Sequence, residues 1–258
     1  MNKEANYIEI AGKQYHIGCQ KGDLAQKILL VGDPDRAAKV ANYFSSVRVQ
    51  RQHREFHTFT GFYQDQEITV MSTGMGEGCM EISVIEICQL VENPILIRCG
   101  SCSALQPNIS LGSLIISESA YSLGSLHNYY DIKTQDMISD MAILRALDQA
   151  CKTQNVTYSV GKTASAPGFY GPQARQIPGF TITQPLLMKD LQDKGFSNLE
   201  MEISTLFGLS HLKGIRAGAI CAVYGNRALN TFLEDSEIPK AETDCIEASL
   251  LALRDCLV

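Results

Sequence analysis

A chain of 258 residues is long enough for one large α/β unit with a substantial core. Its hydrophobic fraction of 45% and charged fraction of 19% are those of a globular protein in water, and its net charge of −6 argues against a broad nucleic-acid surface. No run reaches the ~20 apolar residues of a membrane span. The opening MNKEANYIEI lacks the apolar core of a secretory signal, and the nine cysteines sit mostly in apolar runs, so a cytoplasmic protein with reduced thiols and no membrane partner is expected.

No linker, repeat or long charge run divides the chain, so one domain over residues 1–258 is expected. Lys27–Val31 reads as a short buried strand. Asp33 and Pro34 then open a helix as N-cap and first helical residue, running to about Phe44. Three β-rich segments follow: Val47–Gln52, Phe56–Tyr63 and Ile68–Ser72. Met80, Val84, Ile87, Cys88 and Val91 have helical spacing around Glu81–Val91. Ile95–Leu105, Leu114–Ser119 and Tyr158–Thr163 read as strands, and Met137–Cys151 reads as a helix with Met141, Leu144, Leu147 and Cys151 on one side. Pro185–Lys194 and Glu202–Leu212 look helical, Ile215–Tyr224 is a long buried strand, and Glu242–Leu257 closes the chain as a helix. Such alternation predicts a mostly parallel or mixed sheet with helices on both faces and a ligand at the carboxyl ends of strands.

Chemistry gathers in a few stretches. Ile95–Leu105 (ILIRCGSCSAL) drives an apolar strand into Arg98 and then into small residues, the makings of an anion clamp. Gly32-Asp33-Pro34-Asp35-Arg36 places a glycine, a helix N-terminus and a guanidinium together. Arg54 adds a third cation between two strands, and Arg36, Arg54 and Arg98 with Gly32 and Ser101 would hold one phosphate from several sides. No Walker lysine motif or GxGxxG is present. In Phe169–Arg175, Gln173 offers donor and acceptor and Arg175 donors only, a match for a flat heterocycle such as uracil, with Phe169 as a stacking face. Glu200-Met201-Glu202 offers carboxylates to a sugar diol where a short strand gives way to a helix. The loop from Gly225-Asn226-Arg227 to Pro239 is placed to close over a ligand. Cys99 and Cys102 have CxxC spacing, but Cys99 lies inside the apolar strand and no second pair exists, so neither a redox motif nor a metal site is expected.

GDPDR (Gly32–Arg36), HREF (His53–Phe56), STGMG (Ser72–Gly76), R-x-G-S (Arg98–Ser101), FYGPQAR (Phe169–Arg175) and EME (Glu200–Glu202) occur in the order found in the nucleoside phosphorylase-I family. The chain resembles that family, and its uridine-cleaving branch, from Tyr15-His16-Ile17-Gly18 to Ala241-Glu242-Thr243. The resemblance implies a three-layer α-β-α sandwich around a mixed, partly barrel-like central sheet. It implies reversible phosphorolysis of uridine to uracil and ribose 1-phosphate, a step of pyrimidine nucleoside salvage, with inorganic phosphate as co-substrate and no cofactor. By position, Gly32, Arg36, Arg98 and Ser101 match the phosphate ligands, and Arg54 matches an arginine lent by a neighbouring subunit. His16 matches a residue lent to the ribose, Met201 and Glu202 the ribose contacts, and Phe169, Gln173 and Arg175 the base contacts. Arg98, Gln173 and Arg175 would carry the catalysis. Such sharing implies a homo-oligomer, a dimer or a trimer of dimers.

Two positions depart from the family pattern. Ser103 stands for a glycine near the base. Cys79 stands for a serine that, with the HREF glutamate (here Glu55), holds an interface potassium ion in bacterial relatives. Purine-specific relatives carry an aspartate after the late strand, where this chain has Tyr224-Gly225-Asn226-Arg227. A broad-specificity or purine nucleoside phosphorylase and a non-catalytic nucleoside-binding relative are the alternative readings.

Overall fold

The computed structural model describes residues 8–257; Met1–Tyr7, within the run read against a secretory signal, and Val258, the far end of the expected 1–258 domain, lie outside the described residues. The elements in chain order are β1 (Glu9–Ile10), β2 (Lys13–Gln14), β3 (Lys27–Val31), α1 (Pro34–Ala41), β4 (Ser46–His53), β5 (Phe56–Tyr63), β6 (Gln66–Ser72), α2 (Glu77–Leu90) and β7 (Ile95–Ala104). They continue with β8 (Leu114–Ser122), β9 (Asp136–Ile138), α3 (Met141–Gln154), β10 (Tyr158–Ser165), α4 (Leu187–Asp193), β11 (Asn198–Glu200), α5 (Ile203–Lys213), β12 (Arg216–Asn226), β13 (Thr231–Phe232) and α6 (Ile238–Asp255). No helix among them is long and apolar enough to cross a membrane.

One mixed sheet runs β13-β12-β8-β10-β11-β7-β3-β6-β5-β4, with β9 added to β8. β12 pairs with β7 as well as with β8, so β12, β8, β10, β11 and β7 close into a ring. The sheet is therefore partly a barrel, with β3, β6, β5 and β4 extending from it. β12 covers one edge of β7 from Ile95 to Ala104. The other edge of β7 is shared: parallel β3 takes Ile95–Arg98, and antiparallel β11 takes Ser103 and Ala104. β3 and β11 thus meet end to end along β7, and Cys99–Cys102 face the gap between them.

Helices cover both sides. The apolar residues of α1, α3 and α6, among them Val40, Leu147 and Leu253, share one core with β3, β6 and β7. Those of α2 and α5, among them Val84, Ile87 and Phe207, share the second. Successive strand residues face opposite cores: Leu29 and Ile97 point to the first, Leu30 and Leu96 to the second. This is the expected three-layer sandwich.

Local signals fix most boundaries. Asp33 caps α1, its side chain accepting from Asp35 N–H at 2.9 Å, with Pro34 in the first turn. The helix read from Met137 instead starts at Met141. Asp140 accepts from Ala142 and Ile143 N–H at 2.9 and 3.0 Å and is the better N-cap. The residues before it, Asp136–Ile138, add an antiparallel strand to β8. The last helix begins at Ile238, ahead of Glu242, with Pro239 in its first turn. The β1–β2 hairpin and β13 carry too little periodicity to be read from sequence.

Candidate active site

A cavity of about 630 Å³ opens over the gap in β7. Gly32, Arg36, Arg98, Ser101, Phe169, Gln173, Arg175, Met201 and Glu202, nine of the residues singled out in the sequence, line it together. The strand order does the gathering. The carboxyl ends of β3 and β11 converge on the gap, so the GDPDR turn and the Glu200–Glu202 turn arrive from opposite directions. Gly100 lies beside them because a Cβ there would stand 3.3 Å from the Arg98 Cζ and 3.0 Å from Cys221 Sγ. Gly32, expected to permit a tight turn, has no left-handed backbone. A Cβ on it would meet Gly74 O at an ordinary 3.5 Å.

Two buried guanidiniums face the cavity. Arg36 donates from Nε to Glu242 at 2.8 Å, from Nη1 to the Cys99 carbonyl at 3.4 Å and from Nη2 to the Tyr224 hydroxyl at 3.4 Å. Glu242 also accepts from Lys39 at 2.5 Å. Arg98 donates from Nη2 to Glu202 and stands 3.4 Å, through Nε, from Glu200. Its Nη1 is buried with no hydrogen-bond partner among the described residues. A buried cationic donor left open in this way is costly unless an anion fills it. Glu202 also accepts from Gly76 N–H at 2.6 Å, tying the STGMG turn to the start of α5.

Farther along β7 the lining changes character. Arg227 N–H bonds the Ala104 carbonyl at 2.8 Å, and Arg227 Nη1 donates to the Gln173 carbonyl at 3.0 Å. This holds Gln173 at the Ser103–Ala104 end, about 7–10 Å along the strand from Ser101 at ~3.3 Å per residue. The Gln173 side chain is buried yet makes no hydrogen bond to another described residue. Arg175 is fixed differently: Nε donates to the Phe169 carbonyl at 3.1 Å, and its Cζ lies 4.0 Å from the Phe169 ring centroid. One face of Phe169, expected to be free for stacking, therefore carries Arg175. β13 folds back on β12 and brings Phe232 to the cavity wall, so the loop after Asn226 does reach the site.

His16 and Arg54 do not line this cavity. His16 Nδ1 lies 2.6 Å from Glu86, which also accepts from the backbone N–H of His16 and Ile17. Arg54 sits at an exposed hairpin tip with φ +56°, its guanidinium 5.1 Å from the Tyr15 ring centroid. Glu55 does line the cavity, and a Cβ on Gly74 would meet Glu55 Cγ at 3.1 Å and Cys79 Sγ at 3.4 Å. Burial, and then the Glu55 and Glu202 carboxylates, raise the Cys79 thiol above its ordinary range. A protonated thiol is a poor ligand for a hard cation, so this donor set does not fit the implied potassium ion and no step runs through one.

Cys99 and Cys102 are not a pair. They belong to opposite cores, and Cys99 Sγ contacts Cys245 Sγ at 3.4 Å instead. Asn226 is fully engaged: Nδ2 donates to the Gln106 and Ile109 carbonyls, and Oδ1 accepts from Ala228 and Leu229 N–H. Sequence reading missed Glu242 and Tyr224, which hold Arg36, and Ser165, which bonds Glu200 at 2.5 Å. No local signal marks them, since each acts across more than 30 positions.

Comparison with known proteins agrees with the geometry. A sequence model described as the Phosphorylase superfamily matches residues 26–257. A uridine phosphorylase of Thermococcus kodakarensis is 38% identical over 225 residues, covering 86% of this chain and 80% of that protein. A guanosine phosphorylase of Halorubrum lacusprofundi is 27% identical over 241 residues, covering 92% and 95%. The crystal structure of a Trypanosoma brucei nucleoside phosphorylase, described as showing uridine phosphorylase activity, superposes with a TM-score of 0.92 at 26% identity, covering 96% of this chain and 99% of that one.

Proposed function

The chain belongs to the phosphorylase superfamily and is a nucleoside phosphorylase, and we propose that within this class it cleaves uridine reversibly to uracil and ribose 1-phosphate. The observation that carries the reading is the sharing of one cavity by two anion-binding guanidiniums and the Gln173–Arg175 pair. Phosphate takes the Arg98 Nη1 donor, Arg36, Ser101 and the backbone at Gly32. The ribose lies over Met201 and Glu202. Uracil meets Gln173 and Arg175, walled by Phe169.

The chemistry follows from where charge develops. As the glycosidic bond stretches, the sugar becomes cationic and the phosphate beneath C1′ stabilises it. Electrons move onto the departing uracil, where Arg175 and Gln173 donate to its oxygens. Donors preorganised for charge that appears only in the transition state raise kcat rather than ground-state binding alone. Fixing phosphate and nucleoside against one another adds a positional contribution. The segment after the late strand supports a pyrimidine: Tyr224-Gly225-Asn226-Arg227 holds no aspartate to protonate a purine ring.

Arg54 and His16, outside the cavity of their own chain, serve the site of a neighbouring copy in a homo-oligomer. A panel of uridine, thymidine, guanosine and inosine with phosphate tests the substrate. Uridine should give the highest kcat/KM, read as loss of nucleoside absorbance and appearance of ribose 1-phosphate. Faster cleavage of guanosine or inosine would overturn the pyrimidine reading, and no cleavage of any would overturn phosphorolysis.

A further inference from the structure

Glu200 ends β11 at the mouth of the gap and lines the cavity with its carboxylate almost wholly buried. Oε2 accepts from the backbone N–H of Glu202 at 2.7 Å and of Ile203 at 3.0 Å. Oε1 accepts from Ser165 Oγ at 2.5 Å and from Ile203 N–H at 3.0 Å. The charged and titratable groups facing it are Glu202 at the start of α5, Arg98 on β7 and the Cys221 thiol on β12, with Arg36 beyond Arg98. From β10 it meets only the neutral Ser165 hydroxyl.

Two carboxylates therefore share Arg98. Burial, and then the Glu202 carboxylate, push the Glu200 carboxyl up to about 7, against the opposing pull of Arg98, Ser165 and the Glu202 backbone. A dianion at the open Arg98 Nη1 would bring further negative charge to the same guanidinium. Like charges gathered at one buried site favour protonation of one member.

We propose that Glu200 is the proton-linked partner of the anion pocket, taking up a proton and loosening its hold on Arg98 when a dianion binds. The neutral carboxyl keeps a partner, because the Ser165 hydroxyl can accept where it donated. The proton comes from solvent and returns when the anion leaves, so the site consumes none over a turnover. Glu200 is a positioning residue in this scheme: it acts on phosphate through Arg98. The inference rests on the reading of this cavity as a phosphorylase's phosphate site.

Inorganic sulfate is the probe, because it stays a dianion across the range where phosphate itself titrates. Sulfate binding is measured calorimetrically at pH 6, 7 and 8, each in two buffers of different protonation heat. Binding should take up about half a proton near pH 7, and affinity should fall about tenfold from pH 6 to pH 8, as linkage to one group titrating near 7 requires. Glu200→Gln should flatten the pH dependence and abolish the uptake. Sulfate binding with no uptake and no pH dependence in the native enzyme overturns the inference, as does an unchanged slope in Glu200→Gln. Should that variant fail to fold, the buffer comparison on the native enzyme decides alone. Failure of sulfate to bind at any pH, or to compete with phosphate, overturns the phosphate-site reading beneath it.

Discussion

The Arg36 guanidinium is anchored to Glu242 across 206 positions of sequence, Nε to Oε1 at 2.8 Å, so the last helix sets the direction of a side chain on the first. Glu242→Gln keeps a hydrogen-bond acceptor and removes the charge. Phosphate KM should rise about tenfold, the worth of one charge-assisted bond, while uridine KM stays nearly constant. Steady-state kinetics with each substrate varied in turn checks the split.

The same carboxylate has a pH signature. Burial pushes the Glu242 carboxyl up, but hydrogen bonds from Lys39 and Arg36 outweigh it and hold it below its ordinary value of 4.5. A carboxylate depressed in the folded state contributes stability that is present above its unfolded value and is lost as pH falls through the folded value. The urea midpoint of the native enzyme should therefore exceed that of Glu242→Gln at pH 7, and the gap should narrow as the pH falls below the ordinary carboxylate value of 4.5. Urea titrations at pH 7, 5 and 3.5 follow it.

Arg175 stands on the Phe169 ring at the cavity wall, where the proposed reaction places the leaving base. Arg175→Ala should lower kcat/KM for uridine on the order of 100-fold, the ~3 kcal/mol typical of one such donor. Phosphate KM should change little. Equal losses in both would place Arg175 elsewhere in the reaction.

Asn226 lies in the Tyr224–Arg227 segment where purine-cleaving relatives carry an aspartate, and the structure predicts that placing one at Asn226 fails. Its Nδ2 donates to the Gln106 and Ile109 carbonyls at 3.0 and 2.9 Å. A carboxylate would face those two oxygens with no proton to give. Asn226→Asp should lose about 2 kcal/mol, a drop in Tm of roughly 5 °C for a chain of this size, without gaining inosine cleavage. Calorimetry and an inosine assay test both halves.

If Arg54 works in a neighbour's site, two dead variants should rescue one another. Arg54→Ala and Arg98→Ala, unfolded and refolded together, would form hybrid dimers in which one site has both arginines and the other neither. Random pairing predicts recovery of about one quarter of native activity. No recovery, with hybrids confirmed by native mass spectrometry, would place Arg54 outside the shared site.

The cavity end of each motif was legible because each lies in a local signal. The strand-to-turn passage at Arg98–Ser101 and the capped helix start at Asp33–Pro34 both rest on a few adjacent residues. What escaped acts at a distance: Glu242 on Arg36, Ser165 on Glu200, Asn226 on the 106–109 turn. Only the folded sheet brings those pairs within reach. The start of α3 escaped for another reason. Met137 fits the helical period but is buried as a strand residue, and capping by Asp140 overrode the periodicity.

The interruption on one margin of β7 separates what selection can alter from what it cannot. Between Arg98 and Ser103 that margin has no neighbouring strand among the described residues, so those peptide groups of Cys99–Cys102 that do not point to β12 are left facing the cavity by strand order alone. Among replacements, only proline removes a peptide N–H. The base end is a coat of replaceable side chains on a loop, Phe169, Gln173 and Arg175. Descendants of this enzyme should exchange nucleobases readily while keeping their appetite for inorganic phosphate.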